Sequence, residues 1–458
     1  MKRRNQLLKG HNRTRGKTWA SAAVAVTMVT GLSYAASPLP VASAASETPV
    51  TLTWQMWGGG QADINAWDHD ASIVHSEFPW ITVDLTYDQP FGNYFTKFPT
   101  EIASNTEPDL VAIQSLRATG FQAGFLPLTT AELESDGLPG FNLMNFNQGI
   151  LGGLQNTSGQ QIALPYDFGP LMVYYNKSEF LKYKVPLPTI GWTWSQFNTD
   201  AALMTKNSAG LVYGYINDPY LDEFIGYAVD HGVSYLKNGQ LDIDTPAMAA
   251  QLANYVASVK ANESPLPPSN AAETSWDVYQ WLDGVGAMYI DGPWDMIFDL
   301  SSLKSGTANF KVGIAPLPVG PNGKSVSILA GSGFGISPDL YKDHPGMNKS
   351  VLLSDAIKAI EGLTSPTAEQ FLASQGRAFS ARTAQQKYWV GTVEGLGVAN
   401  VTANMDAALQ NSVAYVTTNK WNGTTDAFDS EIVGVMQGSI TPHAALAYTQ
   451  ANQGTPAA

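Results

Sequence analysis

Apolar residues alternate with polar ones at Val50, Leu52, Trp54 and Met56, the period of two expected of a strand, and the run stops in Trp57-Gly58-Gly59-Gly60. The period then changes to that of a helix: Ile64, Trp67, Ala71, Val74 and Phe78 share one face, and Pro79 closes it. Alternation returns at Ile81, Val83, Leu85 and Tyr87, a second strand. Residues 91 to 104 read as a helix interrupted near Pro99, and 109 to 113 as a buried strand whose exit carries Gln114, Ser115 and Arg117. Strands alternating with helices predict an α/β fold with a mostly parallel sheet covered on both faces.

Farther along, residues 130 to 160 are loop-like, rich in Gly, Asn and Ser. Two short strands flank Tyr166 and Asp167, with Gly169 and Pro170 between them, which reads as a crossing between lobes or as a surface hairpin. Thr193 and Trp194 open a helix, and 213 to 216 are strand-like. Asp218 and Tyr220 then fall in a turn, where an Asp commonly serves the turn itself. Thr245 and Pro246 start another helix in a favoured order. The centre of the pattern is 281 to 300. A helix ends at Gly284, a short buried strand runs from 285 to 290, and Asp291-Gly292-Pro293 stops it with Trp294 and Asp295 at its end. Ligands of open α/β sheets bind outside such strand ends. An aromatic beside a carboxylate there suits a sugar, while the plainer reading has Trp294 capping the core. Residues 312 to 315 form a strand, and 329 to 336 a glycine-rich strand or turn that holds Gly331 and Ser332 but lacks the spacing of a dinucleotide fingerprint. From Val351 onward the chain reads mainly as helices, one of them starting at Ser365-Pro366 and ending at Gly376.

Composition changes this picture in three ways. The first 44 residues combine seven basic side chains, an apolar run from Trp19 to about Tyr34 and a small-residue site at Ala42-Ser43-Ala44, the layout of a secretory signal peptide. Its removal leaves 414 residues, room for two domains, with 18 basic against 39 acidic side chains and a formal charge of −21. Such a surface argues against nucleic acid as a partner. The charged fraction of 14% is low, and few bases with many carboxylates would suit an acidic medium. Finally, there is no cysteine, hence no disulfide, thiolate metal site or lipidation anchor, and the six His show no zinc-hydrolase spacing. Neither a metal nor a cofactor is expected.

Several short motifs in order resemble the extracellular solute-binding proteins of ABC importers, in the carbohydrate branch that includes maltose-binding protein. They are Pro108-Asp109, the segment from Ile162 to Pro165 with Tyr175-Asn176-Lys177, Thr193-Trp194, the stretch from Gly286 to Trp294, and the stretch from Gly313 to Pro318 followed by Gly331 and Gly333. The likeness spans about 50 to 448. It implies a type II periplasmic-binding-protein fold, with residues 46–165 plus 325–362 in one lobe and 166–324 plus 363–458 in the other. The lobes would close on a carbohydrate, deliver it to ABC permease subunits, and act as a monomer. On this resemblance Trp294 is a sugar-stacking ring, with Asp295 beside it at the strand end. Asp218 and Tyr220 bond and stack from their turn, Gln114, Ser115 and Arg117 follow the strand that faces the cleft, and Asp167 lies at the crossing. The maltose-type Trp and Asp are replaced here by Ile113 and Leu116, which argues against maltose itself. Trp57, Tyr87 and Trp421 are further candidates for ligand contact, with core packing as the alternative for each.

Other chemistries fit less well. A secreted glycoside hydrolase needs two carboxylates about 5–9.5 Å apart across the scissile bond. Asp167, Asp218, Asp291 and Asp295 come from separate loops without a recognisable acid/base motif. The same fold could take a charged solute: carboxylates gathered around aromatics would favour a polyamine, and an arginine pair, for which Arg117 and Arg377 are candidates, a glycerol phosphate ester.

Overall fold

In chain order the strands are β1 (Val50–Trp57), β2 (Ile81–Asp88), β3 (Leu110–Gln114), β4 (Leu164–Pro170), β5 (Met172–Asn176), β6 (Leu236–Lys237), β7 (Gln240–Leu241), β8 (Met288–Asp291), β9 (Val312–Pro316), β10 (Ile328–Ile336) and β11 (Val413–Ala414). They belong to a computed structural model that describes residues 47 to 454 apart from Pro90, Asp136, Ala272, Glu273 and Ser275. The expected signal peptide lies outside the described residues.

β1 pairs parallel with β2, Val50 opposite Ile81 and Trp57 opposite Asp88, and parallel with β3 on its other side. β10 then joins β3 antiparallel and takes β4 antiparallel on its far flank, giving the order β2-β1-β3-β10-β4, while β11 pairs with the start of β10. A second sheet, β8-β5-β9, is antiparallel throughout. The mostly parallel sheet read from the sequence thus covers β1 to β3 only. β10 arrives from β9 through residues 317 to 327 with no crossover helix to turn it parallel.

β4 and β5 are separated by Leu171 alone yet belong to different sheets, so this segment is a crossing and not a hairpin. Tyr166 and Asp167 sit inside β4, all of it buried, where the sequence pattern had set them between two strands. The Leu171 N–H donates to Ser327 Oγ at 2.8 Å, so both chain segments that pass between the sheets are tied together. β5 serves two cores. Met172 and Tyr174 pack with the helices Gln61–Glu77, Lys349–Leu363, Gln386–Gly395 and Val401–Leu409, whereas Val173 and Tyr175 pack with Trp194–Asn207, Leu221–Asp230, Trp421–Gln437 and Pro442–Ala451. Alternate residues of one strand face opposite sides, which is how a single strand can fill both.

Three local readings change. The helix Phe91–Ser104 runs through Pro99 without a break. Its buried Tyr94, Phe95 and Phe98 hold it, and Tyr94 donates to the Ala112 carbonyl at 2.6 Å, so one missing backbone bond is tolerated. The loop-like 130 to 160 contains helices Thr130–Ser135 and Gln148–Gly153, the second capped by Asn147 accepting from the Gly149 and Ile150 N–H groups. Its Asn is cap chemistry rather than loop chemistry. Residues 213 to 216 run beside β8 but form only one isolated bridge, Tyr213 with Gly286. No helix among the described residues is long and apolar enough to cross a membrane.

Candidate functional site

The turn after β8 is built to present one ring. The helix Trp276–Leu282 gives way to Gly284 at φ +74, a left-handed conformation natural to glycine. β8 follows, and a one-turn 3-10 helix, Pro293–Asp295, carries Trp294. Gly292 must lack a side chain, since a Cβ there would lie 2.2 Å from the Trp294 ring; a Cβ on Gly169 would meet Pro293 at the same distance. Tyr174 donates to the Gly292 carbonyl at 2.7 Å and Trp389 Nε1 to the Pro293 carbonyl at 3.2 Å. Strands β4 and β5 and the helix Gln386–Gly395 therefore fix the turn, leaving Trp294 only partly buried.

That ring lines a cleft of about 1050 Å³, counting its open mouth, between the strand ends of the two sheets. Of the residues singled out from sequence, the structure brings together Trp57, Gln114, Asp167, Gly331 and Ser332 from the first sheet with Asp218, Tyr220, Trp294 and Asp295 from the second side. Trp57 offers the cleft little of its ring, being 4% exposed and packed at near right angles against Phe91 and Tyr94 at 5.8 and 5.2 Å.

Four candidates do not line the cleft. Tyr87 projects from the edge strand β2, where its hydroxyl donates to Asp68 at 2.5 Å. Ser115 is buried behind β3, its N–H bonded to the Gly331 carbonyl at 2.8 Å. Trp421 is fully buried and packs edge-on against Tyr235 and Tyr415, the core role that was its alternative. Arg117 stacks over Phe95 at 4.2 Å, donates to Gln114 Oε1 at 2.9 Å and to the Tyr220 hydroxyl at 2.7 Å, and contacts Asn422. It stands one layer behind the cleft and holds two of its lining side chains in place.

The sequence reading missed Asp63, Asp222, Glu223, Asp277 and Phe298, and had named Asp291 without expecting it to meet the others. Asp222 and Glu223 were within reach, since they lie two and three residues after Tyr220 in the first turn of Leu221–Asp230. Asp63 gave no local signal. It is tied to the cleft by Arg377, which donates to Asp63 Oδ1 at 2.6 Å and to Asp167 Oδ2 at 3.3 Å, and by the Gly59 N–H, which donates to its Oδ2 at 3.1 Å. Asp167 also accepts the Ser332 N–H at 2.7 Å. Burial pushes its carboxyl up to about 6, against the pull of Arg377.

Opposite this bridged pair the carboxylates gather without a base. Oxygens of Asp277, Asp291 and Asp295 lie within 4.8 Å of one another, close enough to share a proton or a cation. Burial, then Asp291, pushes Asp277 up to about 8; burial and then both neighbours hold Asp295 well above the usual range. Asp218 and Glu223 are raised by burial first, then respectively by Asp277 and by Asp218. Such an arrangement can take up hydroxyls and positive charge beside an aromatic face.

Residues 72–344 match the profile of the bacterial extracellular solute-binding protein family. The chain belongs to that family. Its fold is also that of solved two-lobed binding proteins. An ABC substrate-binding protein of Listeria monocytogenes, solved in complex with cycloalternan, superposes with a TM-score of 0.75 at 21% identity over 88% of this chain and 98% of its own. The GacH receptor of Streptomyces glaucescens, solved unliganded and with acarbose, gives 0.69 at 20% over 88% and 97%. A maltose-bound MalE3 of T. maritima gives 0.69 at 19% over 88% and 98%. This solute-binding protein therefore has the two-lobed periplasmic-binding-protein fold, with its cleft where the two sheets meet.

Proposed function

We propose that this solute-binding protein captures a carbohydrate, an oligosaccharide, in the cleft and passes it to ABC permease subunits. The observation that carries the reading is Trp294. A partly buried ring is held rigidly by its turn, with carboxylates on either side, at the wall of the cleft. Sugars offer C–H faces to such a ring and hydroxyls to carboxylates and amides. In this reading Trp294 stacks on the sugar, Tyr220 adds a second face, and Gln114, Asp167, Asp218, Asp295 and Ser332 bond hydroxyls. The sugars named for the similar solved proteins, cycloalternan, acarbose and maltose, support the same class.

The protein acts as an exported, non-catalytic monomer, at the cell surface or in a periplasm, and the permease reads the closed form of its two lobes. The non-catalytic part is supported by the family, which is one of solute-binding proteins. Thermal shift with a panel of oligosaccharides tests the reading. A sugar at 100 times its dissociation constant should stabilise by about 2.7 kcal/mol. Reducing ends should not accumulate on long incubation, and their release would refute the non-catalytic part.

A further inference from the structure

The cleft is lined by eight carboxylates and a single arginine, Arg377. That arginine is engaged by two of them, Asp63 and Asp167. Asp222 accepts from the Tyr415 hydroxyl at 2.5 Å and feels the Arg117 charge. Five remain, Asp218, Glu223, Asp277, Asp291 and Asp295, and no lysine or arginine among the described residues forms an ion pair with any of them. A neutral sugar needs hydrogen-bond acceptors, but it does not need five carboxyl groups without a basic partner in one wall. Burial and mutual repulsion keep protons on these carboxyls while the cleft is empty, and a bound cation would stabilise their charged forms, so such a wall is complementary to something positive.

Unpartnered atoms point the same way. Asp277 Oδ2 and Asp295 Oδ2 have no hydrogen-bond partner among the described residues, although their residues are only 3% and 5% exposed. Glu223 is independent of that trio, coming from the helix Leu221–Asp230. It is 7% exposed, lines the same cleft, and its Oε2 is likewise unpartnered. Trp294 and Phe298 flank the wall, and aromatic faces attract cations as well as sugar C–H groups.

We propose that the solute is an amine-bearing saccharide whose ammonium group sits at Asp277, Asp291 and Asp295, within reach of Glu223, while its rings lie against Trp294. The proposal rests on the carbohydrate reading and narrows it. A bare metal ion would use the same carboxylates but leave Trp294 and Phe298 without a role. A linear polyamine would use the charges and rings but not the acceptor and donor groups of Gln114 and Ser332 on the opposite wall.

Calorimetric titration of the full exported protein with matched pairs tests this: maltotriose against its 1-amino-1-deoxy form, and the chitosan disaccharide against its N-acetylated form. Spermidine and calcium chloride are run as separate arms. In at least one pair the amine form should bind more tightly by roughly tenfold or more, since hydrogen bonds to charged groups are about twice as strong as neutral ones. Asp277→Asn and Asp295→Asn should each narrow that ratio. Both replace a buried carboxyl by a neutral amide of the same shape, so the melting temperature without ligand should hold or rise, and the wild-type comparison stands whether or not a variant folds. Equal or tighter binding of the neutral forms overturns the inference and leaves the carbohydrate reading in place. So does sugar binding that requires calcium and ignores the amine. Silence from every saccharide, with or without a response to spermidine or calcium, overturns both.

Discussion

Trp294 and Trp421 are the same residue type with opposite fates, and packing decides between them. Trp421 is enclosed by Tyr235 and Tyr415, so Trp421→Ala should cost about 3–5 kcal/mol of stability in denaturant unfolding and leave the solute affinity of the folded fraction unchanged. Trp294 is partly exposed at the cleft, so Trp294→Ala should weaken binding by about 2 kcal/mol, roughly thirtyfold, with a smaller effect on stability. Gly292→Ala tests the support of that ring. Its methyl would fall 2.2 Å from the ring, so affinity should drop although the altered residue offers no ligand-binding group. The residue pattern around Trp294 was readable because strand, glycine, proline and ring are contiguous. Asp63 and Asp277 were not, because nothing in their own neighbourhood marks them and only tertiary folding brings them to the cleft.

Elements were legible where local chemistry sets them. Thr193 and Gln196 cap each other's backbone at the start of Trp194–Asn207, and the sequence places that start correctly; Thr193→Ala should lower stability by about 1 kcal/mol in the same unfolding assay. The helix Gln61–Glu77 and strands β1 to β3 follow their apolar periods closely. Misreadings cluster where a distant partner overrides the local signal. Pro99 is carried inside a helix by the buried face of Tyr94, Phe95 and Phe98, and β4 extends through Tyr166 and Asp167 because β10 pairs with it along its length. β10 itself, with three glycines at Gly331, Gly333 and Gly335, looked equally like a turn. Those glycines let strand backbones and side chains approach: Cβ atoms there would lie 2.3, 2.5 and 2.3 Å from the carbonyls of Asp167, Leu164 and Ile162.

At the scale of the molecule, the carboxylates tie stability to pH in an unusual direction. Asp167, Asp200 and Asp230 are pushed up to about 6, Glu107 to about 7, and Asp277 and Glu369 to about 8, each chiefly by burial. A carboxyl whose folded pKa is raised holds its proton more tightly in the native state. The stability this brings is complete below the unfolded value near 4 and is lost as pH rises toward the folded one. The melting temperature should therefore fall between about pH 4 and pH 8, with Glu369→Gln flattening the profile; a melting temperature that climbs steadily across that window would contradict the assignment. Binding has the most direct test of all: calorimetric titration of an oligosaccharide panel into the wild-type protein and Trp294→Ala side by side. The account predicts that at least one oligosaccharide binds the wild type with one-to-one stoichiometry and loses most of its affinity in the variant. Failure of every sugar to bind, or equal affinity for both proteins, would contradict it.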